Sequence, residues 1–147
     1  MKFNNRILLI EDDDVDAMTL ERALSDLKIS YQLDRVTNGE EGLNFLHNPA
    51  NPRPGIILLD INMPRMNGIE FLVELRMNAA LKAIPVIILT TSQEEIDRLA
   101  AFDKNVAGYM IKPVDYLQFV KIVEIICNYW SHNQLPASST KYSEYAK

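Results

Sequence analysis

One cysteine in 147 residues, Cys127, excludes an internal disulfide, and its place in an apolar helical pattern marks it as a buried thiol, not a redox centre. Long apolar runs are also missing. No stretch approaches the roughly 20 apolar residues of a membrane-spanning helix, and the amino-terminal MKFNNRILLI carries too short an apolar run for a secretory signal. Cytoplasmic localisation is therefore expected. Positive charge is scarce: 15 Lys and Arg against 20 Asp and Glu leave a net charge of −5, and the basic residues are scattered. Without a basic stripe to follow a phosphate backbone, nucleic acid is not an expected partner. The two histidines, His47 and His132, stand far apart with no companions at metal-ligand spacing, so both read as surface residues. Internal repeats are absent. Only 17 residues follow Trp130, rich in Ser, Tyr and Lys and without helical period, too few for an output domain. The expected organisation is one folded domain over 1–131 and a flexible carboxyl-terminal tail over 132–147.

What is present is 48% apolar content, enough for the core of one ordinary domain. Short apolar runs alternate with longer segments of helical period, the rhythm of β-α units around a parallel sheet. ILLI, IILL and VIIL are apolar at every position, which suits strands covered by helices on both faces. The pattern predicts strands near 6–10, 31–36, 56–60, 86–90 and 107–111. Helices fit at 14–27, 38–47, 67–78 and 93–103, with a last one from 114 to about 131. The fold class is α/β, a doubly wound five-stranded parallel sheet. Pro49, Pro52 and Pro54 make HNPANPRPG an extended loop before the third strand.

In such a sheet ligands bind beyond the carboxyl ends of the strands. The first strand ends in Glu11, Asp12, Asp13 and Asp14, the third in Asp60, the fourth in Thr90 and Thr91, and the fifth in Lys112-Pro113. Helix capping accounts for Asp13 or Asp14, since a carboxylate there meets free N–H groups and the helix dipole. Capping does not explain why another carboxylate arrives from the third strand. Several carboxylates at close range repel one another unless a cation or proton intervenes. Mg²⁺ suits the place because it accepts one or two carboxylates, waters and a phosphate oxygen. The Thr90 hydroxyl and the Lys112 ammonium suit the oxygens of a phosphoryl group on Asp60.

The segments ILLIEDD, LLDINMPRMNG, PVIILTT and GYMIKPV, in this order and spacing from Arg6 to Trp130, resemble the receiver domain of two-component response regulators. That resemblance implies a flavodoxin-like (βα)₅ fold with strand order 2-1-3-4-5. It implies a phospho-acceptor at Asp60, an acidic pair Glu11 and Asp12 holding Mg²⁺ or Mn²⁺ together with Asp60, and a backbone carbonyl of Asn62 for the same ion. Thr90 becomes the switch hydroxyl, Lys112 the cation that pairs with the phosphoryl group, and Tyr109 the aromatic rotamer switch. Asn62 and Ser92 flank the path of the attacking water. The Lys112-Pro113 bond is expected to be cis. The activity implied is not that of an enzyme but of a stand-alone signalling domain, which takes a phosphoryl group from a histidine kinase or phosphotransfer protein and loses it slowly by autodephosphorylation. The Pro-rich loop and the ending KPVDYLQFVKIVEIICNYW are similar to the small regulators that accompany bacterial phytochrome kinases, which suggests a phytochrome-like kinase as partner.

Two other readings compete. A haloacid-dehalogenase-type phosphohydrolase needs a second Asp two residues after the first as general acid, and Asn62 cannot serve. A pseudo-receiver, used only for interaction, would not need the full set of site residues. In the last helix one apolar stripe runs Val120, Val123 and Cys127, and another runs Phe119, Ile122, Ile126 and Tyr129 with Trp130 beside it. One stripe covers a sheet, so the second is expected to be exposed and to join two copies as a homodimer.

Overall fold

The computed structural model describes residues 4–133. Five strands and five helices alternate: β1 (Arg6–Ile10), α1 (Asp14–Asp26), β2 (Gln32–Val36), α2 (Gly39–His47), β3 (Ile56–Leu59), α3 (Gly68–Met77), β4 (Val86–Thr90), α4 (Glu95–Asp103), β5 (Gly108–Ile111) and α5 (Tyr116–Ser131). The strands form one sheet in the order β2-β1-β3-β4-β5, and every neighbouring pair is parallel. Residues 134–147 of the expected tail lie outside the described residues.

Side chains alternate across a strand, so the all-apolar runs feed two cores. Ile7, Leu9, Ile56, Leu58, Ile87 and Leu89 point to one face, where α1 and α5 cover them with Leu20, Ala23, Phe119 and Val123. Leu8, Ile10, Ile57, Leu59, Val86 and Ile88 point to the other, against Phe71, Leu72 and Leu75 of α3 and Ala101 of α4. The outer strands β2 and β5 are only partly buried, as expected at the edges of a sheet.

The helix starts follow from local chemistry. Asp13 caps α1, its carboxylate accepting the Asp16 N–H at 2.9 Å. Asn67 and Glu70 form a capping box at the start of α3. Gly68 lets α3 begin hard against the end of β3, because a Cβ there would stand 2.3 Å from the Asp60 carbonyl oxygen. Asp115 caps α5, so the helix starts at Tyr116 and Val114 stays outside it.

Two expectations fail. The Lys112-Pro113 peptide is trans, as is every peptide among the described residues. Trans is the lower-energy isomer even before proline, and here it already delivers the lysine to the carboxylates described below. The division of α5 into an inner and an outer stripe is also wrong. Phe119, Ile126 and Trp130 are buried together with Val123 and Cys127, and Val120 and Ile122 are partly buried against the same core. Positions 119, 123, 126, 127 and 130 follow the i, i+4, i+7, i+8, i+11 spacing of one wide face, which α1 and the sheet cover jointly. Of the residues assigned to the outer stripe, Tyr129 alone is well exposed; it joins Leu117 and Ile125, which the earlier division left out.

Candidate functional site

Three of the side chains in question sit one residue beyond a strand, with backbones that still extend the sheet ladder. The Glu11 N–H donates to the Val36 carbonyl at 3.0 Å, the Asp60 N–H to Ile10 at 3.1 Å, and the Lys112 N–H to Thr90 at 2.8 Å. The sheet therefore fixes where each side chain leaves the backbone. All three converge at the carboxyl edge of the central strands.

Glu11, Asp12 and Asp60 each offer a carboxylate oxygen, and these oxygens lie within 4.8 Å of one another. Glu11 and Asp60 are buried, and Asp12 is exposed. An all-oxygen donor set open to solvent on one side fits a hard divalent cation such as Mg²⁺ or Mn²⁺. Lys112 closes the cluster from β5. Its Nζ lies 2.5 Å from Glu11 Oε1, 2.8 Å from Asp16 Oδ2 and 3.5 Å from Asp60 Oδ2. The other Asp60 oxygen, Oδ1, accepts the Ile61 N–H at 2.8 Å.

Burial, with the nearby Asp60 charge adding to it, pushes the Glu11 carboxyl up to about 7 although Lys112 acts in the opposite sense. Burial works against the charge on Lys112, but the bonds from Asp16 and Glu11 outweigh it and hold the ammonium above its ordinary range. The lysine is a permanent cation here.

Thr90 and Tyr109, the residues expected to act as the switch, meet elsewhere, at Ser92. Thr90 is fully buried, and its Oγ1 accepts the Ser92 N–H at 3.2 Å. The Tyr109 hydroxyl donates to the Ser92 carbonyl at 3.0 Å, and burial raises that phenol. Ser92 Oγ donates to Asp97 Oδ2 of α4 at 2.6 Å. Asn62 lies exposed in the loop between β3 and α3.

Two residues in this neighbourhood escaped the sequence reading. Asp16 contacts Lys112 directly. Arg35, from β2, donates its Nε to the Glu11 carbonyl at 3.0 Å and Nη1 to Asp14 at 2.7 Å. Its Nη2 is buried without a partner among the described residues. Asp14 is thereby drawn away from the carboxylate cluster. In the sequence both acids pass for helix-start residues, and an isolated arginine on a strand carries no motif.

Residues 7–124 match the response regulator receiver domain family. The chain is 35% identical over 137 residues to the response regulator Rcp1 of Synechocystis sp., covering 90% of this chain and 93% of Rcp1. It is 31% identical over 121 residues to the protein PilH of Pseudomonas aeruginosa, covering 82% of this chain and 96% of PilH. Among solved structures, the phosphorylated cyanobacterial phytochrome response regulator RcpA superposes with a TM-score of 0.84 at 34% identity, covering 91% of this chain and 99% of RcpA. The Mn²⁺-bound form of Rcp1 superposes with a TM-score of 0.82, covering 90% of this chain and 99% of that one.

Proposed function

The chain belongs to the response regulator receiver family, and from that membership we propose that it accepts a phosphoryl group on Asp60 from a histidine kinase or phosphotransfer protein. The observation that carries the assignment is the convergence of Glu11, Asp12 and Asp60 oxygens within 4.8 Å, with Lys112 Nζ 3.5 Å from Asp60. In the transfer an Asp60 carboxylate oxygen bonds to phosphorus as the phosphorus–nitrogen bond of a phosphohistidine breaks, and the imidazole leaves with the electron pair. Oδ1 is tied to the Ile61 N–H, so Oδ2, facing the lysine, is the oxygen that attacks.

Lys112 counters the negative charge of the phosphoryl oxygens with a positive charge that the neighbouring acids keep in place. Glu11, Asp12, Asp60 and the Asn62 backbone carbonyl would hold a divalent ion, which when bound would supply further positive charge against the same oxygens. The acyl phosphate is later lost to water, a weak autodephosphorylation past Asn62 and Ser92. While Asp60 is phosphorylated, before that loss, Thr90 gives up the Ser92 N–H and donates its hydroxyl to the phosphoryl group, and the change passes through Ser92 to Tyr109 and α4.

The similarity to RcpA, a cyanobacterial phytochrome response regulator, supports a phytochrome-like kinase as the donor; the place of transfer in this proposal is the cytoplasm. Residues 1–131 act as the receiver, with 132–147 as an appended tail. The output surface is α4, β5 and α5, and two copies associate through α5.

Intact-mass measurement after treatment with a small phosphodonor and Mg²⁺ tests the assignment. The wild-type protein gains one phosphoryl group only when Mg²⁺ is present, and Asp60→Asn gains none. Full modification of Asp60→Asn would sink the proposal.

A further inference from the structure

Lys112 makes its two short contacts with Glu11 and Asp16, on the α1 side, and its longest with Asp60. An ammonium has three N–H donors, and here all three face carboxylates. Asp16 stands apart from the carboxylates that converge on a candidate metal position, which are Glu11, Asp12 and Asp60. Its backbone is pinned, because its N–H is the one that the Asp13 cap accepts. A favourable charge at the start of α1 does not by itself explain the contact. Asp14 supplies such a charge from the same turn and pairs with Arg35 instead.

We propose that Asp16 is a positioning residue that acts through Lys112: it holds the ammonium on the α1 side and so limits how strongly a phosphoryl group on Asp60 can engage it. The proposal rests on Asp60 being the acceptor. A phosphorylated Asp60 presents several anionic oxygens to the same lysine, in direct competition with the Asp16 carboxylate. Asp16 is partly exposed and lines an open groove of about 420 Å³ beside Lys112, together with Thr19 and Thr91. Substitutions there have room, and Lys112 keeps Glu11 and Asp60 as its charge partners.

The experiment measures the affinity of the Mg²⁺-loaded protein for beryllofluoride, a phosphoryl analogue, by ¹⁹F NMR. Asp16→Asn removes the competing charge while keeping the side chain's size. It is expected to bind beryllofluoride about threefold tighter or more, the scale of one partly exposed ion pair. Mg²⁺ affinity, measured separately, is expected to stay equal or weaken, whereas general loosening of the site would weaken both. Asp16→Glu, which keeps the charge, and Asp14→Asn, which removes a charge from the same turn without touching Lys112, are expected to keep the wild-type beryllofluoride affinity. An Asp16→Asn protein that binds beryllofluoride no better than wild type, or an equal gain in Asp14→Asn, overturns the proposal. Failure of the acceptor assignment looks different, because the wild-type protein itself would then bind no beryllofluoride.

Discussion

The Tyr109 hydroxyl donates to the Ser92 carbonyl at 3.0 Å, which places the aromatic ring of β5 on the same residue whose N–H holds Thr90 Oγ1 at 3.2 Å. Ser92 is thus gripped at both ends of its backbone, and its side chain reaches α4 through Asp97 at 2.6 Å. A movement of Thr90 toward Asp60 releases one grip and leaves the other. In the switch proposed above, coupling between Asp60 and α4 would run through hydrogen bonds that can be removed singly.

Tyr109→Phe deletes one of them and keeps the ring. The lost bond is expected to cost about 0.5–1.5 kcal/mol of stability, read from the midpoint of urea unfolding at constant slope. Phosphorylation of Asp60 by a small donor should persist, since Tyr109 does not contact the acceptor's oxygens. Loss of modification in Tyr109→Phe would mean that the ring supports the acceptor itself and not the relay.

The raised carboxyl of Glu11 predicts a pH dependence with a definite sign. Burial lifts it from 4.5 to about 7 in the folded chain, so the folded state binds a proton there more readily than the unfolded state does. The stability this contributes is fully present below pH 4.5 and lost as the pH rises through about 7. Mg²⁺ takes the ionised carboxylate, so its affinity should run the other way and increase across the same interval. Calorimetric Mg²⁺ titrations between those limits check this. Glu11→Gln should flatten the stability profile there, and a metal affinity independent of pH would contradict the assigned role of Glu11.

The parts of the fold that could be read from the sequence are those where one local pattern admits one solution. ILLI, IILL and VIIL cannot be half-exposed strands, and three such runs among five strand segments separated by helical period leave little choice but a parallel sheet. The strand ends then announce the site, because Glu11, Asp12, Asp60 and Lys112 are polar residues at the ends of apolar runs. Asp16 was not legible, since its partner lies 96 residues away and its position at a helix start already has a local explanation. Tyr116, Ile122, Ile125 and Ile126 crowd α5 with apolar groups on nearly every side, and periodicity alone could not say which of them the sheet and α1 would cover. The trans Lys112-Pro113 bond departs from an expectation carried by resemblance, not by the residues.

Corrected burial redirects the test of self-association. Leu117, Ile125 and Tyr129 are more than half exposed, and their spacing of four and eight residues aligns them in one stripe on α5. Ile125→Asp puts a charge on that stripe without entering the core and is expected to leave the protein folded and monomeric. Ile122→Asp, which places a charge against the core, is expected to destabilise the monomer as well. Sedimentation at micromolar concentration, with and without phosphodonor, separates the outcomes. A wild-type protein that is monomeric in both states would remove the dimer from the proposal.

Arg76 offers the sharpest test of how the α4–β5 side is held together. From the last turn of α3 it donates Nε to the Lys104 carbonyl at 2.8 Å, Nη1 to Lys82 at 2.8 Å and Ile84 at 3.0 Å, and Nη2 to Asn105 at 3.1 Å. Among the described residues no carboxylate contact accompanies these bonds, so its work is to tie two connections together, the one before β4 and the one between α4 and β5. Partial burial lowers the guanidinium's pKa, and the four carbonyls supply the compensating dipoles. A lysine cannot repeat this, because its three donors radiate from one atom while the guanidinium spreads five over a plane. Arg76→Lys is therefore expected to lose about 2 kcal/mol, within the range for hydrogen bonds to a charged group. Hydrogen exchange locates the loss: amides of α4 and β5 should exchange faster, while those of β1 and β3, whose ladders Arg76 does not touch, keep their protection relative to global unfolding. Uniform acceleration through all five strands would show instead that Arg76 supports the whole domain and not the α4–β5 side.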